Sequence, residues 1–480
     1  AWLYGLCFAP WERDTILELR DRLPEKYKNR IRHYPDITHS IRAQFAMPGW
    51  DRAFQIFEGR EVNNTRPLAM KHIHNLHAPY TVGSITYSEG IHDDVNKFVW
   101  SQQDWDDTQS AEVTVREYAR YFIDPALEEE LTRGLFALEE NWGVQKPIAQ
   151  NTTVDDTYRL WTALEAKASP AVRGNYRFLM GLLRAISDYY IKYKQIYDDK
   201  LEAQAVKVLE NAQALGADAA MRQAAAILRR GIDWPWDKGL RDRQLELADI
   251  LNKLCGIKLT THHHDGQYFR RGAYLDMIDF PLNNQQYFTV SFKKIRKLPD
   301  EAAKCKAIHE LLTRTNPGEG GVYINLGSYE SLPYIHFEKT WAEDPGMLRS
   351  AHTCMCAQSV NDAQMLTGTY REVPLAKEWF MQATTYYKTP LIVRVPGLDP
   401  TARYQLKTTY IQPGRTNYVR LTLGDGTVVH ETVEPRGSFD PTYVFPLPQT
   451  AYRDGTLELR WQAHGEAGGA WINEVFVERV

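Results

Sequence analysis

The stretch Thr81 to Trp105, TVGSITYSEGIHDDVNKFVWSQQDW, decides the fold class of this chain. A short apolar run, Val82 to Thr86, leads through Tyr87, Ser88 and Glu89 to Gly90, after which Ile91, Val95, Phe98 and Val99 recur at helical spacing. That order is a strand, a turn and a helix. In α/β folds the polar residues of such a turn sit at the carboxyl edge of the sheet, where a rigid scaffold presents them to a ligand. Glu89, His92, Asp93 and Asp94 all fall there. A plainer reading stays open beside this one: Ser88 caps the helix, and acids in a first turn complement its macrodipole.

Upstream, the same unit occurs twice more. Trp2 to Phe8 reads as a buried strand and Arg13 to Leu23 as a helix with Ile16, Leu17 and Leu19 on its apolar side. Ile31 to Thr38, IRHYPDIT, reads as a second strand ending in polar residues. A loop through Trp50, Asp51, Asn63 and Asn64 follows, then a helix from Arg66 to about Leu76. Three successive βα units imply parallel strands with right-handed crossovers. Three units cannot close a barrel. The chain opens at Ala1 directly in an apolar run, WLYGLCF, and is expected to be a piece whose βα units are the last of a (β/α)₈ barrel.

Downstream of Ala111 the period is helical. Segments 112–122, 125–142, 154–168, 172–197, 201–215, 217–231, 241–254, 283–297 and 299–315 follow one another with short polar connections. From Asn316 to Tyr387 the pattern is irregular. From Thr389 the period switches to two, in LIVRV, YQLKTTYI, YVRLTL, TVVHETV, TLELRW and WINEVFV, with turns at PGLDP, GDG and RDG. The expected architecture is multidomain, α/β plus all-α plus all-β. A partial (β/α)₈ barrel spans 1–108, an α-helical domain 109–315, an irregular wrapping segment 316–385, and a carbohydrate-binding-like antiparallel β-sandwich 386–480.

Composition narrows the function. With 480 residues, 25% charged and a formal net charge of −4, the chain has no electrostatic footprint for nucleic acid or an anionic membrane. No apolar run is long enough to span a bilayer. The five cysteines, Cys7, Cys255, Cys305, Cys354 and Cys356, are an odd number and imply no disulfide framework. The 12% aromatic content, with 13 Trp and 27 Tyr, suits both sugar-stacking surfaces and anchors between helices.

The acids at strand ends carry the chemistry. Asp36 ends the second strand beside Tyr34 and His39, Asp51 follows Trp50 in the next loop, and Glu89 ends the third strand after Tyr87. Glycosidic bond cleavage needs two carboxyl groups facing each other across the sugar, one protonated and one ionised. Neighbouring βα turns supply such a pair because all of them open on one face. Glu89 and Asp36 are the expected catalytic acids. Tyr34, His39, Trp50, Asp51, Tyr87, His92, Asp93 and Asp94 are the expected substrate contacts. Asx turns, helix caps and solvated loop acids are the plainer readings of Asp36 and Asp51. No metal or cofactor is expected, since His262, His263 and His264 with Asp265 lack a second ligand set at a recognisable spacing.

Four segments carry a family resemblance: YPDITHSIRAQFAMPGWD, YSEGIHDDVNKFVWSQQDW with the following REYARYFI, NPGEGGVYINLG, and TPLIVRVPGLDPTARY. Through them the chain resembles the carboxyl-terminal portion of bacterial TIM-barrel glycoside hydrolases of the α-glucuronidase and β-N-acetylhexosaminidase-like kind. The resemblance implies a secreted or periplasmic enzyme acting on oligo- or polysaccharides. It also implies an acid/base on the fourth barrel strand, which this sequence lacks. NPGEGGVYINLG departs from the pattern too, with Ile324 and Asn325 where an acidic pair would stand. A non-catalytic carbohydrate-binding or scaffolding protein with a degenerate barrel is the alternative, and the helical domain is a candidate surface for homo-oligomers.

Overall fold

Residues 31–33, with alternating burial, form the middle of a small parallel sheet, flanked by residues 6–8 and 82–87. In the computed structural model, strands β1 (Leu6–Phe8) and β2 (Ile31–His33) pair in parallel, Leu6 opposite Ile31 and Phe8 opposite His33. The other side of β2 takes residues 82–87 in the same direction, through parallel bridges His33–Ser84 and Asp36–Tyr87. Amide donations from Val82 to Ile31, Ile85 to His33 and Tyr87 to Pro35 complete that edge. The structure describes residues 6–8, 16–41, 43–57, 61–89, 94–143, 146–267, 272–355, 374–411, 418–434, 441–465 and 467–480.

Helices cover this sheet and continue into an all-helical region. Pro67–His77 and Asp94–Trp105 follow β2 and the third strand. Ala111–Phe122 starts on a Ser110 cap, whose hydroxyl accepts from Val113 N. Glu128–Gly143, Thr153–Lys167, Tyr176–Glu210, Ala217–Asp233, Lys238–Cys255, Gln285–Ile295 and Glu301–Leu312 come next. Two sequence expectations are corrected here. The break expected after Tyr197 is absent: Tyr176–Glu210 is one helix of 35 residues. The polar run Asp198-Asp199-Lys200 is no turn, because Asp198 is buried, bonded to Lys194 Nζ at 2.6 Å and accepting Leu282 N at 2.8 Å. A helix at Arg52–Phe57, inside the expected loop, starts where Asp51 accepts the amides of Ala53 and Phe54.

One continuous apolar cluster runs from Ile37, Phe45 and Ile73 of the α/β part through Val99 and Trp100 to Trp161, Phe178 and Ile186 of the helical part. Trp161 is fully buried in it, and its Nε1 donates to Gly134 O at 3.1 Å. A second cluster, with Leu209, Ala220, Leu228 and Phe292, holds the outer helices together.

The remaining strands are antiparallel. They are β3 (Val322–Asn325), β4 (His352–Met355), β5 (Met381–Tyr386), β6 (Leu391–Val395), β7 (Tyr404–Thr409), β8 (Val419–Leu423), β9 (Val428–His430), β10 (Thr442–Pro446), β11 (Leu457–Ala463), β12 (Gly469–Ile472) and β13 (Glu474–Arg479). Two four-stranded sheets, ordered β10-β7-β13-β3 and β6-β11-β8-β9, share a core of inward residues such as Leu406, Val475, Val393, Leu421 and Trp461. A third sheet is ordered β12-β5-β4. The expected sandwich is therefore present, and it reaches further upstream than the period suggests. The stretch expected to be irregular, 316–385, supplies β3 to one sandwich sheet and β4 and β5 to the third sheet.

Candidate functional site

Because β2 and the 82–87 strand run parallel, their carboxyl ends open on one side, and the side chains that follow them meet there. Thr38 locks the two ends together: its hydroxyl accepts from Glu89 N at 2.9 Å and donates to Tyr87 O at 3.4 Å. Asp36 turns back on its own chain. Its Oδ1 accepts the amides of Thr38 and His39 at 3.1 and 3.2 Å, and its Oδ2 lies 2.7 Å from His39 Nδ1. The side chains of His39 and Asp36 are 0% and 1% exposed.

With Nδ1 fixed on Asp36, the far nitrogen of His39 faces two further carboxylates. Glu61 Oε1 is 3.4 Å and Glu89 Oε1 3.6 Å from Nε2. Tyr87 donates its hydroxyl to Glu89, and the Tyr87 ring lies 5.7 Å from the His39 ring and 6.3 Å from the Tyr34 ring. Glu61 is nearly sealed, whereas the Glu89 side chain is 24% exposed and is the open member of the group. A proton on Nε2 makes His39 an imidazolium facing both glutamates; without it Nε2 is an acceptor. A carboxylate holding one imidazole nitrogen while the other faces acids is also the pattern that positions a histidine ligand on a metal.

The loop carrying Glu61 is held from a distance. Asn64 Nδ2 donates to the carbonyls of Thr38 and His39 at 3.3 and 3.1 Å, and Asn96 Nδ2 reaches Ile37 O at 3.1 Å. Asn63 Nδ2 bonds Met180 O at 3.1 Å on the long helix, and the buried Arg184, paired with Asp188 at 2.7 Å, donates to Asn63 O. Arg66, beside this loop, donates to Phe45 O, and burial pulls its pKa down to about 10 against the opposing charges of Glu139 and Asp36.

Of the residues expected from sequence, Asp36, His39, Tyr87 and Glu89 come together, with the Tyr34 ring tilted against that of Tyr87. The rest make their contacts elsewhere. Asp51 caps the Arg52–Phe57 helix and accepts Ile148 N at 3.0 Å through its other oxygen; burial raises its pKa. Trp50 packs against Phe337 in a separate pocket. Asp94 accepts from Tyr118 Oη at 2.8 Å and pairs with Arg177, joining its helix to the helical domain. His92 and Asp93 lie outside the described residues.

Glu61 is the group that sequence reasoning missed. Nothing near it in GREVNN marks it as chemical, since its position depends on Arg184 and Asn63, residues 121 apart. His264 is engaged by Thr260 at 3.0 Å and Asp249 at 2.9 Å. Among the described residues, the set with ligand atoms close enough to hold one cation is His39, Glu61 and Glu89, all within 4.8 Å of one another. Among the described residues, too, no helix is long and apolar enough to cross a membrane.

No protein-family model matches this sequence, and no curated protein matches it. Among solved structures, the chain is similar to one described as a novel family GH115 4-O-methyl-alpha-glucuronidase, BtGH115A, with specificity for decorated arabinogalactans. The identity is 10% and the TM-score 0.33, with 99% of this chain and 55% of that chain covered. The chain thus spans about 55% of the length of that protein, and a likeness this loose carries no argument about activity.

Proposed function

We propose that this chain supplies a carboxylate-lined wall of a hydrolase acting on glycosidic bonds of oligo- or polysaccharides. In this reading the three parallel strands are the last βα units of a (β/α)₈ barrel, and the enzyme works outside the cytoplasm. The observation that carries it is the convergence of Glu61 and Glu89 on His39, backed by Asp36, at the carboxyl edge of parallel strands. Glycosidic cleavage uses one protonated carboxyl to assist the leaving oxygen and one ionised carboxylate on the sugar. Glu89, the open member, is assigned to the sugar and Glu61 to its support. Asp36 takes a positioning role, since both its oxygens are spent on His39 and the turn. Tyr87, donating to Glu89, holds that carboxyl in place.

The test is hydrolysis of aryl glycosides and uronic-acid-bearing oligosaccharides by the protein carrying this chain in full. Turnover that drops by a hundredfold or more in Glu89→Gln supports the reading. Glycan binding with no turnover in the unsubstituted protein would favour the non-catalytic alternative.

The two separations at His39 favour a second reading. Ligands about 2.1 Å from a tetrahedral divalent ion stand roughly 3.4 Å from one another, and His39 Nε2 lies 3.4 and 3.6 Å from Glu61 and Glu89. A stoichiometric divalent metal in the purified protein, lost on His39→Ala, would select that reading over the acid pair.

A further inference from the structure

Residues 337–351 fold into a loop that is built with care yet forms neither helix nor strand before β4. Asp344 organises it. Its carboxylate accepts Leu348 N at 3.0 Å and Arg349 N at 2.7 Å, and its carbonyl accepts Met347 N at 2.9 Å. Between them Met347 adopts a φ of 53°, a left-handed conformation that a long side chain rarely takes. Ser350 ties the two ends of the loop, accepting from Lys339 N and donating to Lys339 O at 2.8 Å. Strain held this firmly in a surface loop points to a constraint other than connection.

The loop closes over Met47 to Trp50 and leaves a pocket of about 380 Å³. Trp50 and Phe337 meet edge to face, centroids 6.1 Å apart, and Phe337 is still 38% exposed at the rim. Trp341 stands in the same wall, its ring 5.5 Å from that of His72, and its indole Nε1 is buried with no hydrogen-bond partner. Lys339 and Glu343 add charge to the lining. None of these residues belongs to the His39 group.

The lining asks for a ligand with two kinds of surface. An apolar guest would leave the charged ends of Lys339 and Glu343 without contact, and a small ion would leave the exposed parts of Phe337 and Trp341 without contact. A pyranose ring satisfies both, with C–H groups for the exposed aromatic surface and hydroxyls for Lys339 and Glu343. The volume is at the small end for ligand pockets, which suits one or two rings of a longer glycan. We propose that this pocket is a sugar-binding site separate from the carboxylate group, holding a pyranose unit of an oligosaccharide. The choice of a glycan as ligand rests on the hydrolase reading above.

The experiment is calorimetric titration of the full chain carrying Glu89→Gln with xylotetraose, cellotetraose and mannotetraose, with p-nitrophenol as a sugar-free aromatic. At least one tetrasaccharide is expected to bind, and Phe337→Ala or Trp341→Phe is expected to weaken one equivalent of that binding tenfold or more. Trp341→Phe keeps an aromatic ring in the wall but makes it smaller, so the site is probed without emptying it. No tetrasaccharide binding, binding unchanged in both variants, or p-nitrophenol binding as tightly as the sugar overturns the proposal. Failure of the hydrolase reading has a different signature: the unsubstituted protein binds the tetrasaccharide and turns over no glycoside.

Discussion

Asp36 Oδ2 stands 2.7 Å from His39 Nδ1, and neither side chain reaches solvent. A buried carboxylate with this many donors is held by its partners, and removing it strands them. Asp36→Ala leaves the amides of Thr38 and His39 and the His39 Nδ1 without their acceptor, at an expected cost of about 3 kcal/mol. Asp36→Asn retains the amide acceptor and lowers the cost, yet it disturbs the orientation of His39. Urea unfolding should therefore separate the two variants, while glycoside turnover should fall in both.

Arg184→Met is expected to destabilise the chain by about 3–5 kcal/mol, because Asp188 is left buried without its cation. The double variant Arg184→Met/Asp188→Leu removes both charges and should recover most of that loss. Turnover should not recover with it, since the donation from Arg184 to Asn63 O that holds the Glu61 loop is gone. Unfolding midpoints and turnover measured on the same samples check the split.

Gly181→Ala is expected to cost about 1–3 kcal/mol by overpacking. A Cβ there would lie 2.6 and 2.7 Å from the Trp161 ring, and Trp161 is fully buried between two helices with no room to move. Gly143→Ala meets nothing within 4 Å and should be tolerated. Denaturation curves of the two variants give the comparison.

The fold was legible where apolar period and chemistry agreed. Ile31 to Thr38 and the short run Val82 to Thr86 read as strands ending in polar residues, and they form the parallel pair with Asp36 and Glu89 at its edge. It was illegible where a polar residue is buried by a distant partner. Asp198 reads as a turn residue until Leu282 N and Lys194 are seen to satisfy it. Asp51 reads as an open loop acid until Ala53 and Ile148 claim its oxygens. β3 depends on β13, with Ile324 opposite Val475, a pairing that no local pattern announces.

Acid should weaken the sandwich through His430. Its Nε2 lies 2.7 Å from the Tyr410 hydroxyl, and burial holds its pKa down to about 4. The unfolded chain titrates near 6.5, so stability is complete above that pH and is lost as the pH falls from about 6.5 towards 4. The full loss at pH 4 and below is about 3 kcal/mol. His33, its pKa lowered by burial and then by the charges of His77 and His74, adds to the same trend in the α/β part. Unfolding measured from pH 7 to 4 should show a smaller loss for His430→Gln than for the unsubstituted chain.

Glu89 tests the assignment of the site most directly. Its carboxyl is the open member of the His39 group and accepts from Tyr87. The measurement is release of product from aryl glycosides and uronic-acid-bearing oligosaccharides by the full protein and by its Glu89→Gln variant. Turnover lost by a hundredfold or more, with the fold intact by circular dichroism, is the expected result. Turnover unchanged by Glu89→Gln would contradict the role given to this edge of the sheet.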